Sequence, residues 1–135
     1  MQRDVADIID RWSIAKLKNE RIGTEENKRE FEAFILALKE VRGKHPDLEW
    51  KNICNLMVSI NSTIWFLEAS LKGNKDILPN SHNLDDEMND KILTIIGKNT
   101  ILIRNVNNLR VQFKNLINKM TNDGFQDVKR EHLSE

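Results

Sequence analysis

Ten residues between Met88 and Met120 limit what this chain can become more than any other feature. Met88, Ile92, Ile95, Asn99, Leu102, Val106, Leu109, Phe113, Leu116 and Met120 follow one another in alternating steps of four and three. A strand brings residues two apart onto one face, whereas a helix gathers residues three and four apart into a stripe. Held over more than four heptads, the pattern marks a long amphipathic helix with a coiled-coil seam. The phase passes through Gly97 unchanged, so one continuous helix over about 85–121 is expected, although a mid-helix glycine costs about 1 kcal/mol relative to alanine. The segment is rich in asparagine, a poor helix former, so its helicity must come from burying the seam. Asn99 takes a seam position, where a polar residue commonly fixes register.

The same wheel, turned at about 100° per residue, gives three more helices. Over about 4–22 the stripe is Val5, Ile8, Ile9, Trp12, Ala15 and Ile22, with Lys16 and Asn19 inside the arc. Ile14 and Leu17 lie on the opposite side, so this helix has two apolar faces and must thread its charges between them. Gly23 is a stop. Thr24 reads as an N-cap, with Glu25 and Glu26 in the first turn where the helix dipole favours anions. The second helix, about 24–42, carries Phe31, Phe34, Ile35, Leu38 and Val41. After Pro46-Asp47 a third, about 47–71, carries Trp50, Ile53, Leu56, Met57, Ile60, Ile64, Leu67 and Leu71. "KGNKDILPNSHN" reads as the one long loop, and 122–135 as a tail.

These elements predict an all-α fold, a single domain over 1–135. The arrangement expected is an antiparallel four-helix bundle with a long C-terminal helix. At 1.5 Å per residue the fourth helix is roughly 55 Å long and the third roughly 36 Å. The overhang, with the second face on the first helix, points to a homodimer or a higher homo-oligomer.

Lys+Arg and Asp+Glu number 21 each, for a net charge of zero. That balance argues against broad nucleic-acid binding, which wants a basic excess. The opening "MQRDVADIIDRW" has acids where a signal peptide needs an apolar run. No stretch approaches the roughly 18 apolar residues of a membrane span, so no membrane association is expected. Cys54, the single cysteine, sits in an apolar helical pattern and reads as a buried structural thiol, in keeping with a reducing cytoplasm. His45, His82 and His132 fall in two loops and the tail, without metal-ligand spacing. There is no Gly-rich phosphate loop, Cys-x-x-Cys pair or His-Glu-x-x-His, so neither cofactor nor metal is expected.

Two acidic groups, "EENKRE" (25–30) and "DDEMND" (85–90), invite comparison with MazG-like nucleotide pyrophosphohydrolases, which hold magnesium between paired acidic motifs on facing helices. The first has the wrong internal spacing, and both sit at helix starts, where the dipole accounts for acids, so this is the weaker alternative. More telling are polar residues at or beside apolar faces: Lys16, Asn19, Asn61, Glu68, Asn99 and Arg110. A buried charge is costly unless paired. Glu68 and Arg110 are therefore expected to meet between the third and fourth helices, either as a register-fixing ion pair or as part of a polar pocket.

Three blocks, "ADIIDRWSIAKLKNERI", "INSTIWFLEASLK" and "IRNVNNLRVQFKNLIN", resemble in order those of an uncharacterised family of small bacterial all-helical proteins. Its members, a domain of unknown function, read "GELIDKITILEIKxERI", "VNxxLWxIEDxIR" and "NDxRAxxKRxIN". By position the family's polar residues fall on Asp10, Lys18, Glu20 and Arg21, on Asn61, Trp65 and Glu68, and on Asn107, Arg110, Lys114 and Asn118. The resemblance implies an all-helical fold, and no activity is assigned to the family. Here Arg11 replaces its first-block Lys, Lys16 its Glu, and Lys72 its second-block Arg, while the acid after Glu68 is missing.

Two functional readings follow. One is an oligomeric partner-binding or scaffold module without catalysis. The other is an enzyme or binding protein for a phosphorylated or nucleotide-sugar-like ligand. In that reading Lys18, Arg110 and Lys114 neutralise the anion, and Asn61 and Asn107 offer hydrogen bonds. Glu68 acts as base or orienter, and Trp65 stacks on a ring.

Overall fold

A computed structural model describes residues 3–77 and 86–122, and four helices account for the regular structure among these described residues. They are α1 (Val5–Arg21), α2 (Glu25–Lys44), α3 (Trp50–Ile77) and α4 (Asp86–Met120). Among the described residues there is no strand, and no helix is long and apolar enough to cross a membrane. Residues 78–83 of the expected long loop, with His82, lie outside the described residues, as do Asp85 of the second acidic group and the tail from 123 on, with His132.

The helix ends follow from local chemistry. Asp4 caps α1 by accepting from the Asp7 N–H at 2.8 Å. At its other end Gly23 takes φ +74°, and the N–H groups of Ile22 and Gly23 both donate to the Lys18 carbonyl. That left-handed geometry suits glycine. Thr24 and Asn27 cap α2 reciprocally: Asn27 N–H donates to Thr24 Oγ1 at 3.1 Å and Thr24 N–H to Asn27 Oδ1 at 3.2 Å. Between α2 and α3, the Trp50 indole N–H donates to the His45 carbonyl at 2.6 Å and pins the connector.

α3 runs six residues beyond its expected end at Leu71. The residues of "KGNKDI" read locally as loop, yet Leu71 and Asn74 are still half-buried, and burial offsets the weak propensity of Gly73. α4 passes through Gly97 without a break. At 35 and 28 residues, α4 and α3 are about 52 Å and 42 Å long, so α4 still outruns its neighbour.

α1 is the central element and packs against the other three helices, whereas α2 leans chiefly on α1, and α3 and α4 lie along each other. The core gathers Val5, Ala6 and Ile9 of α1 with Leu38 and Val41 of α2. Trp50, Ile53, Cys54, Met57, Ile60 and Ile64 come from α3, and Phe113 and Ile117 from α4. Burial of Leu17 beside that of Ile9 explains the charge-threaded sequence of α1, which is contacted on more than one side. Ile22, placed on the first stripe by the wheel, is exposed because the helix ends before it. Leu56, placed on the α3 stripe, is likewise about half exposed.

The seam of α4 divides. Ile92 and Phe113 are buried and Val106 is half-buried, but Met88, Ile95, Leu102, Leu109, Leu116 and Met120 keep 40–50% of their surface. The packed face is turned one step round the wheel and takes in Ile96, Ile103, Arg110 and Ile117. One neighbouring helix covers only a narrow stripe, and α1 reaches α4 only near its C-terminal end, through Lys114 and Asn118. Gly97 is exposed, and a Cβ added there would meet nothing within 4 Å. Gly97→Ala is therefore expected to stabilise the fold by up to about 1 kcal/mol and to raise the melting temperature by about 3 °C, measurable by circular dichroism.

Candidate functional site: a polar cluster between three helices

Where α1 crosses α3 and α4, the apolar core gives way to Asp10, Ser13, Asn61 and Asn118, all buried, and to Arg110 and Lys114, partly so. Asp10 and Ser13 lie one helical turn apart on α1, between its two apolar stripes. Asn61 sits one residue past Ile60 on α3, so it turns toward α1 while Ile60 and Ile64 stay in the core. Arg110, Lys114 and Asn118 follow at intervals of four on α4, which stacks them on one side of that helix.

The Asp10 carboxylate organises the cluster. Lys114 Nζ stands 3.4 Å from its Oδ2 and 3.5 Å from Asp7 Oδ1. Asn61 Nδ2 donates to Asp10 Oδ1 at 2.9 Å and to Ser13 Oγ at 2.6 Å. The Ser13 hydroxyl donates in turn to the Asp10 carbonyl at 2.7 Å. Arg110 Nη1 donates to Asn61 Oδ1 at 3.5 Å, a long bond, and Arg110 Nε is buried without a partner. At the cluster's edge Asn118 Oδ1 accepts the Ala6 N–H at 3.0 Å, satisfying one of the orphan donors in the first turn of α1.

This arrangement corrects the expected Glu68–Arg110 pair. Glu68 is exposed and makes no ion pair with Arg110, whose guanidinium turns to Asn61 instead. Asn61 and Glu68 are seven residues apart and share a line of α3, but Arg21, the last residue of α1, already meets Ser62 and Trp65. Beyond that level no α1 residue remains to cover the line, and Glu68 meets solvent.

Of the residues singled out in the sequence, the fold brings together Asn61, Arg110 and Lys114. Trp65 instead lies beneath the Arg21 guanidinium, 5.2 Å from ring centroid to Cζ. Arg21 also donates to Ser62 Oγ at 2.8 Å. Lys18 and Asn107 are half-buried and contribute no bond to the cluster. Lys16, inside the α1 arc, is drawn outward to Glu20 one turn on. Residue-by-residue reading misses Ser13 and gives Asp10 and Asn118 no weight beyond the family resemblance. The signal that could find them is their place between apolar stripes.

The acidic groups are not assembled. Glu25 and Glu26 occupy the first turn of α2, Asp86 and Glu87 that of α4, and all four are exposed. Among the described residues no three His, Cys, Asp or Glu side chains are placed to hold a metal ion. Cys54 is buried, and burial pushes its thiol above the usual range while Arg42 pulls weakly the other way. A thiol so placed favours the folded state below the ordinary thiol pKa. That contribution fades as the pH climbs past that value, where the unfolded chain ionises first.

Comparison with known proteins returned no matching family model, no matching curated protein and no matching solved structure.

Two outcomes check the cluster and the core beside it. Asn61→Ala should cost about 2–3 kcal/mol in denaturant melts, because the partners of one amide are orphaned together. Cys54 should react with a thiol reagent slowly in the native protein at pH 8 and rapidly in urea. Fast native labelling would place it at the surface.

Proposed function

We propose that this chain is a cytoplasmic interaction module, an antiparallel bundle that works by holding a helical partner and carries out no reaction of its own. The observation that carries this reading is how the polar and apolar groups are disposed. The cluster's acid, amide and hydroxyl are occupied by one another, while the long apolar line of α4 remains open.

An anion entering the cluster would find the Lys114 charge already set against Asp7 and Asp10. The candidate stacking ring, Trp65, is engaged by Arg21. A phosphorylated or nucleotide-sugar-like ligand would need these contacts broken first, and their loss subtracts from affinity. Antiparallel packing is supported by the order of the contacts, in which Ala6 meets Asn118 and Asp10 meets Lys114. The Asp10-centred cluster then serves as the feature that sets helix register.

A thermal-shift screen against nucleotides, sugar nucleotides and magnesium tests the reading. Ligand at a hundred times its dissociation constant stabilises by about 2.7 kcal/mol, a shift of several degrees. The expected result is no shift with any of them. A shift that disappears in Arg110→Ala, with the fold retained, would establish the ligand-binding alternative instead.

A further inference from the structure

The charge pattern of α3 is unusual for this chain. From Asn52 to Leu67 it carries no charged residue on any side, although 31% of the chain is Asp, Glu, Lys or Arg. A helix face without charge can be covered by a partner at lower desolvation cost than a charged one. Within the single chain α3 is not covered all round, since Leu56 is half exposed and Phe66 is 67% exposed.

Burial patterns show which side is open. On α3, Asn61 turns toward α1, and Leu56 and Thr63 lie on the other flank of the Ile60–Ile64 core line, while Phe66 sits behind that line and shares a groove with Arg21, Ser62 and Trp65. On α4, Arg110, Lys114 and Asn118 turn toward α1, and Ile95, Leu102, Leu109 and Leu116 lie on the other flank. These four are spaced by seven residues, the knob spacing of a coiled coil. They retain about half of their surface, so they are positioned to complete a seam rather than to close one.

We infer that the α3–α4 face turned away from α1 pairs with the same face of a second copy of this chain. The inference rests on the assembly reading above and names the partner. Area bears on it: two helices side by side, each about 10 Å wide, offer about 480 Å² along the roughly 24 Å of the uncharged α3 stretch, and about 840 Å² along the full length of α3. A standard interface buries about 800 Å² on each partner. Charge supports it. The α4 side of the face has no charged residue between Lys98 and Lys119 on the line Leu102, Asn105, Leu109, Gln112, Leu116. Facing α3 residues are uncharged too. Charge depletion marks the centre of an interface, and two identical uncharged centres meet without like-charge repulsion. An acidic or basic partner would find nothing there to pair with. Twofold self-pairing also closes, because each copy uses the same face and the contact does not propagate into a chain.

Sedimentation equilibrium of the full chain over about 1–200 µM, a range that brackets micromolar affinity, should give twice the 15.8 kDa chain mass, falling toward the single mass on dilution. Leu102→Glu combined with Leu109→Glu should weaken association about a hundredfold or more while the helical circular dichroism persists. Leu36→Glu, on the outer side of α2, should leave the mass unchanged. Should the double variant fail to fold, Leu109→Cys supplies the second measurement. Mild oxidation should join two copies through position 109, and Leu36→Cys should not cross-link. A single-chain mass at every concentration, or cross-linking at 36 in place of 109, overturns the inference. Neither result bears on the ligand screen, whose flat outcome supports the non-catalytic reading by itself.

Discussion

A carboxylate taken out of water has to be met by donors, and Asp10 meets that condition only when three helices stand in one particular alignment. Lys114 must arrive from α4, the Asn61 amide from α3, and the Ser13 hydroxyl from the next turn of α1. Sliding α1 by one turn along either neighbour would separate the acid from its cation and leave both partly dry, at a cost of several kcal/mol. The apolar contacts around it, Ile9, Met57, Ile60 and Ile117, would tolerate such a slip far better, since one aliphatic contact resembles the next. The core thus supplies most of the favourable free energy, and the cluster supplies the choice among packings that the core alone would rank nearly equal.

The division of labour among the helices follows. α1 is the shortest, at 17 residues, yet it touches all the others because it lies between them. Two apolar faces and a polar strip between them are what such a position demands. α2 has only Leu38 and Val41 buried and is held at its ends by the Thr24–Asn27 cap and the Trp50–His45 bond. α3 and α4 extend beyond the reach of α1, and each is covered there by the other alone. That geometry explains why Glu68 is wet; the outward line of α4 is half bare for a different reason, because Leu109 and Leu116 lie on the flank away from α1 even where α1 reaches α4.

Much of the fold can be read from the sequence because periodicity is a local property. Gly23 and Thr24 mark two helix limits, and the heptad phase carries α4 through Gly97, without knowledge of the neighbours. The end of α3 escapes such a reading because Gly73 and Asn74 are weak helix formers whose helicity depends on what lies beside them. The split seam is not legible either. A wheel reports that residues share a face, but not how many neighbours cover it. At the polar cluster, Asn61, Arg110 and Lys114 stand out, the first two by their positions beside apolar stripes and Lys114 by the family resemblance. The buried acid does not: the expectation of Glu68 there, where Asp10 meets Lys114 and Asn61 and Arg110 turns to Asn61, rests on connectivity between α3 and α4. It takes no account of how far α1 extends along them.

That Asp10 and its partners select the alignment of α1, rather than serving a bound molecule, is the claim on which the account turns. Replacing them with apolar residues of similar size, Asp10→Leu, Asn61→Leu and Lys114→Met together, removes the cluster while keeping the volume. The decisive measurement is the amide correlation spectrum of that triple variant. A helical, cooperatively folded protein is expected, in which residues 5–21 give more than one set of resonances, one for each alignment of α1. A single sharp set matching the parent spectrum outside the substituted sites would contradict it, because the alignment would then be chosen by the apolar core alone.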